Sequence, residues 1–268
     1  MSELAQGWRI ARRSVLYETH HPGRLAGVVT QLSTQVFLTW CLWTALYATV
    51  SFNAGMDRGQ AVTYAVLATL YGRLRGPDRG LARDTVRQHV RTGSIVYWYL
   101  RPVDPQRYHW VRAVGDQLYG LAWAAAAYTV CRLIGLVEGP ASKTAAGLFL
   151  LTLVLGQMVL YYLLALVDVA CFWTLNNFGV GAMINLTQNL FAGAIAPLWF
   201  FPGWFQTLSS WLPFQSSLHV PLSLYVGRIP PADAGHYVLV QVIWIVLLAL
   251  VLRRFWRRAD RQVVVQGG

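Results

Sequence analysis

Residues 79–103 read RGLARDTVRQHVRTGSIVYWYLRPV and lie between two apolar runs, yet they carry five arginines that no lipid-filled layer accepts. The chain must therefore bring this stretch out at a membrane face and then return. Arg79, Arg83, Arg87 and Arg91 recur every fourth residue, so in a helix they follow one slowly drifting face, with Leu81, Val86 and Val90 elsewhere. Gly93, after Arg91-Thr92, supplies a helix stop, because glycine best accepts left-handed cap geometry. The aromatic run 95–100 then ends at Arg101-Pro102, so a surface helix gives way to a hydrophobic elbow. Periodicity leaves two readings open: an element that transmits motion, and a solvated loop whose arginines touch lipid phosphates.

The rest of the composition agrees with a membrane setting. Of 268 residues, 56% are hydrophobic and only 12% charged, with 12 tryptophans, which is too apolar for an ordinary soluble domain. A net charge of +11 would suit nucleic acid, but the basic residues cluster beside apolar runs, as in loops facing anionic lipid. Lipid is thus the expected surface, and nucleic acid is not an expected partner. Cys41, Cys131 and Cys171 sit singly in separate apolar runs and form no metal-ligand spacing. His20, His21, His89, His109, His219 and His236 fall in loops or at span ends, none at an HExxH-like distance from a carboxylate. That argues against an intramembrane enzyme, and no metal or catalytic residue is expected.

Charge and hydropathy predict an all-α integral membrane fold of six transmembrane helices in one domain, residues 1–268. In residues 1–24, Leu4, Trp8, Ala11, Val15 and Leu16 follow helical spacing while Arg9, Arg12 and Arg13 lie off that face, which predicts an interfacial helix. The first span, 25–52, is long; the second, 60–72, is barely three turns and needs Arg73 and Arg75 to snorkel. Residues 73–112 hold nine arginines against Asp78, Asp84 and Asp104, so this central loop is expected in the cytoplasm. The third span is read as 114–137, with Ala124 to Ala127 as a small-residue face, and the fourth as 145–167. Asp168 is expected to open a short inner turn, its position beside Phe172-Trp173 and Asn176-Asn177 favouring an interfacial place over proton coupling.

The fifth span, 176–196, carries Asn177, Gly181, Asn185 and Gln188 on one face, a stripe that should meet protein or a water-filled path. Tyr64 and Tyr71 of the second span join Asn177, Asn185 and Gln188 as candidates for a substrate path. Residues 197–228 are too rich in proline and aromatics for a span and read as extracellular re-entrant or interfacial helices, with Trp199, Trp204 and Trp211 suited to the interface. A last span, 237–252, is stopped by Arg253, Arg254, Arg257, Arg258 and Arg261, so both termini are expected in the cytoplasm.

Two separated signatures then point to a family. Arg91-Thr92-Gly93 followed by Leu100-Arg101-Pro102-Val103 resembles the RTG…LRPV signature of a bacterial group of ABC-2-type transporter permeases. Pro202-Gly203-Trp204, Leu212-Pro213-Phe214, Pro221 and Gly227 resemble the same group's FP…LPF…P…G segment. The resemblance implies a six-span half-transporter of the bacterial cytoplasmic membrane. It pairs with a second permease, identical or homologous, and with two copies of a cytosolic ABC ATPase that carries ATP and Mg. It places an interfacial helix at 4–17, a coupling helix within 79–91 and re-entrant elements within 197–224. Coupling to the ATPase would then fall on Arg79, Arg83, Arg87, Arg91, Thr92, Gly93, Arg101 and Pro102. The sequence holds no GxxxxGK[ST] loop, so this chain is not expected to bind ATP itself. The function expected is export of an amphiphilic or hydrophobic substrate; the rival is an ATP-independent carrier or channel, for which internal repeats and mid-membrane ionisable groups are wanting.

Overall fold

The computed structural model describes residues 22–49, 55–75, 86–174 and 178–266, and among them every regular element is helical. The predicted interfacial helix at 4–17 lies outside the described residues. Ten α-helices follow in order: α1 Pro22–Thr49, α2 Arg58–Tyr71, α3 Val86–Arg91, α4 Val96–Tyr99, α5 Pro105–Leu133, α6 Lys143–Thr174, α7 Phe178–Phe191, α8 Gly203–Trp211, α9 His219–Tyr225 and α10 Ala234–Gln266. Short 3₁₀ turns at Gly72–Arg75, Leu198–Phe200, Phe214–Ser217 and Pro231–Asp233 join them. Three helices, α1, α6 and α10, contain stretches long and apolar enough to cross a membrane.

The long pair α6 and α10, at 32 and 33 residues, forms the spine. Each is ~50 Å long, well beyond the ~30 Å hydrocarbon core, so each projects out of an apolar layer. The inner turn expected at Asp168 is absent: α6 runs on to Thr174. Its last turns are held as helix by α10, through Phe172 against Trp256 and Trp173 against Phe255. α10 likewise continues through its arginines, Leu252, Trp256 and Ala259 being buried on one face while Arg253, Arg254, Arg257, Arg258 and Arg261 are exposed on the other.

α2 is short, 14 residues or ~21 Å, and it is buried from Ala61 to Ala68 without interruption. A helix apolar on every face belongs inside a bundle. Asp57 caps its start, accepting from Gln60 N at 2.7 Å, while Gln60 Oε1 accepts from Asp57 N at 3.3 Å. Gln60 also donates to the Val226 carbonyl and Thr63 accepts from Glu138 N, so α2 is stitched to its surroundings at one end.

Residues 213–226 are buried throughout. Their backbone needs partners that lipid does not provide; local turns supply several, such as Ser216 N to the Pro213 carbonyl and Leu222 N to the Leu218 carbonyl, and two glutamines tie the segment to other helices. Gln241 Nε2 of α10 donates to the carbonyls of Thr152 at 2.9 Å and Ser216 at 2.8 Å. Gln188 Nε2 of α7 donates to Ser217 Oγ at 2.8 Å, and that hydroxyl donates onward to the Phe214 carbonyl at 2.7 Å. The approach of α6 to this segment depends on Gly156, where a Cβ would sit 2.5 Å from the Ser216 carbonyl oxygen. Trp204 and Trp211 are exposed, whereas Trp199 packs on His219 with ring centroids 4.5 Å apart.

Candidate coupling site

α3 and α4 form the elbow expected from the sequence, and each has one buried and one exposed side. Val86, Val90, Ile95 and Trp98 are buried in a cluster with α5, α6 and α10, whereas Arg91, Tyr97 and Leu100 are exposed. The turn between the helices is built from Thr92-Gly93-Ser94. Gly93 takes φ +70°, a conformation that side chains rarely adopt, and Ile95 N reaches back to the His89 carbonyl at 3.0 Å.

A chain of hydroxyls locks that turn. Thr92 Oγ1 donates to the Gln88 carbonyl at 2.9 Å, Ser94 Oγ stands 2.7 Å from Thr92 Oγ1, and His89 Nδ1 stands 2.8 Å from Ser94 Oγ. One proton assignment satisfies all three contacts: His89 Nδ1–H to Ser94, Ser94 to Thr92, and Thr92 to the backbone. Thr92 is thereby a structural part of the turn, with its side chain exposed beside Arg91.

Beyond the elbow the chain enters α5 through a compact cap. Asp104 Oδ2 accepts from Arg107 N at 3.1 Å and Pro105 takes the first helical position. Arg101 is exposed and lays its guanidinium 4.2 Å from the Tyr108 ring centroid; Pro102 is exposed next to it. Tyr99 ties the elbow to α10, its hydroxyl donating to Asp260 Oδ1 at 2.8 Å. Burial first, then the bond to Asp260 and the charges of Asp260 and Asp104, hold the Tyr99 phenol above its ordinary range.

Under the elbow lies a polar node that sequence spacing did not reveal. His109, 6% exposed, places Nε2 3.2 Å from Asp168 Oδ2 and Nδ1 3.2 Å from the Tyr161 hydroxyl. The tautomer protonated on Nε2 fits both, donating to Asp168 and accepting from Tyr161. Trp98 covers the node, its ring 4.8 Å from Tyr108, 5.4 Å from His89 and 6.4 Å from His109. Trp256 closes another side at 6.2 Å from His109.

The other sequence candidates are dispersed. Arg79, Arg83 and Asn177 lie outside the described residues, and Arg87 is placed by its backbone alone, on α3. Tyr64 is fully buried, donating to the Gly193 carbonyl at 3.2 Å with His219 Nδ1 at 3.1 Å. Tyr71 is buried in the same cluster of apolar residues, Gln188 is buried against Ser217, and Asn185 is exposed on α7. Among the described residues no group of three or more His, Cys, Asp or Glu is placed to hold a metal ion.

The sequence profile of the ABC-2 family transporter proteins matches residues 34–267, nearly the whole chain. The chain belongs to that family. No curated protein and no solved structure matches it. As an ABC-2 transporter protein it is a transmembrane permease component, and membership implies association with an ABC ATPase. The elbow thus belongs to a permease, with its Arg91 and Arg101 side exposed and its apolar side committed to the bundle.

Proposed function

We propose that this permease is one transmembrane half of an ATP-driven exporter in the bacterial cytoplasmic membrane. In this reading α1, α2, α5, α6, α7 and α10 are the six spans, both termini are cytoplasmic, and residues 197–228 fold back from the outer side. A second permease, identical or homologous, completes the pathway, and two cytosolic ATPases bind ATP and Mg. The substrate is an amphiphilic or hydrophobic molecule.

The observation that carries the reading is the two-sided elbow. Val86, Val90, Ile95 and Trp98 fasten it to three long helices, while Arg91 and Arg101 are exposed, Arg101 resting on the Tyr108 ring at the bundle's edge. An element so built transmits a push from a soluble partner, because its apolar side cannot part from the bundle without exposing buried surface. In the sequence, Arg79, Arg83 and Arg87 extend the same basic run ahead of Arg91. Closure of the ATPases on ATP displaces the elbow, and the cavity between paired permeases changes access from inward to outward.

Charge reversal tests this. Changing Arg83 and Arg87 together to Glu is expected to release the ATPase or to separate ATP hydrolysis from transport by roughly tenfold or more, in line with the loss of buried charge pairs at interfaces. Membrane insertion and yield stay unchanged. Unaltered assembly and coupling in that variant contradict the reading.

A further inference from the structure

We propose that the His109 imidazole, gripped by Tyr161 and Asp168, is the joint that carries elbow movement into α6. The inference rests on the proposed ATP-driven function and names the residue through which it acts.

Three features of the node support it. First, both grips come from one helix: Tyr161 and Asp168 are seven residues apart, two turns along one face of α6, with Ala165, Val169 and Phe172 buried beside them. Two contacts from residues two turns apart to the two nitrogens of one ring fix the axial register of α6 against α5. Slipping by one turn, ~5.4 Å, breaks both. Second, the pair is a poor choice for stability alone. A His–Asp contact with side chains 7% and 20% exposed carries a desolvation penalty that apolar residues of similar volume avoid. What such a pair adds is a defined register. Third, the ring lies in the line of contact. The Thr92-Gly93-Ser94 turn holds His89, His89 packs edge-on to Trp98, and Trp98 packs on Tyr108 and His109. The elbow also packs on α6 directly through α3, and the two bonds of His109 add to that apolar contact a fixed register of α6 on α5. His109 is accordingly a positioning residue and touches no substrate in this account.

The test uses spin labels on the full chain, assembled with its ATPase in lipid nanodiscs and driven by ATP and Mg. Cys41 is replaced by alanine, since Cys131 and Cys171 are buried. One label pair, at Leu42 of α1 and Leu150 of α6, reports α6; a second, at Leu42 and Tyr97 of α4, reports the elbow; all three sites are exposed. In the parent both distances respond to nucleotide. In His109→Phe, which keeps a ring and loses both bonds, the elbow pair still responds, while the α6 response falls roughly fivefold or more, a usual size for lost coupling between sites. Tyr161→Phe, which removes one hydroxyl, gives a smaller loss and decides the matter if His109→Phe does not assemble. Asp168→Asn keeps an acceptor for Nε2–H and retains the response; Asp168→Leu does not. A full α6 response in His109→Phe, or in Tyr161→Phe and Asp168→Leu together, overturns the joint alone. A parent with no nucleotide response in either pair overturns the transport reading and the joint with it.

Discussion

Trp98→Ala is expected to undock the elbow while leaving the chain inserted in the membrane. Trp98 is 1% exposed and touches three aromatic side chains. Truncating a buried tryptophan to alanine costs about 3–5 kcal/mol, more than the remaining contacts of two helices of six and four residues readily offset. The expected results are a lower midpoint of thermal unfolding in detergent and a loss of nucleotide-driven response in the assembled complex. Tyr97→Ala is the control. Tyr97 is the neighbouring residue and is 66% exposed, so its removal should shift thermal stability little. Equal melting curves for Trp98→Ala and the parent would show that the elbow is not anchored through this residue.

Gly156→Leu should prevent the native packing altogether. Even one carbon at that position meets the Ser216 carbonyl oxygen at 2.5 Å and Ser217 Cα at 3.0 Å, both backbone atoms that no rotamer change can move aside. Overpacking ordinarily costs ~1–3 kcal/mol, and a contact against backbone belongs at or above the top of that range. Because α6 is the spine, the segment 213–226 and the amide bonds from Gln188 and Gln241 would be lost with it. The measurement is the yield of monodisperse protein after mild solubilisation. Gly147→Ala, on the same helix with nothing within 4 Å of its Cβ, should leave that yield unchanged.

The elbow was legible in the sequence because its signals are local. Gly93 marks a stop where the backbone does turn left-handed, and the aromatic run ends at Arg101-Pro102 just before the Asp104 cap. The long apolar helices α1, α6 and α10 were legible for a similar reason, since hydropathy reports on solvent rather than on partners. What escaped depends on contacts across helices. His109 and Asp168 stand 59 residues apart in the chain, so no spacing rule joins them. Asp168 also stands just before residues that mark a membrane boundary, which suggested a turn; packing of Phe172 and Trp173 on α10 keeps that region helical instead. One available signal was the helical spacing of Tyr161, Ala165, Asp168, Val169 and Phe172. Read together, these put an acid and a tyrosine on the face that is buried.

The amide stripe of α7 shows the same limit. Its spacing placed Asn185 and Gln188 on one face, but the chain fold separates their fates. Gln188 is drawn inward by Ser217, whereas Asn185 remains exposed on the helix surface. Residues 213–226 were equally hard to place from sequence. Their prolines and polar residues exclude a simple span, yet local turns pair much of the backbone, and glutamines on two other helices bond the Ser216 carbonyl and the Ser217 hydroxyl, a role that depends on tertiary position.

The decisive measurement is isolation of the chain from its native membrane in mild detergent, with identification and stoichiometry of whatever copurifies. The proposed function predicts a soluble P-loop ATPase in two copies for each pair of permeases, and one or two permease species distinguish a homodimer from a heterodimer. Recovery of this chain by itself under several gentle conditions, with no nucleotide-binding subunit, would contradict the proposal and favour an autonomous carrier.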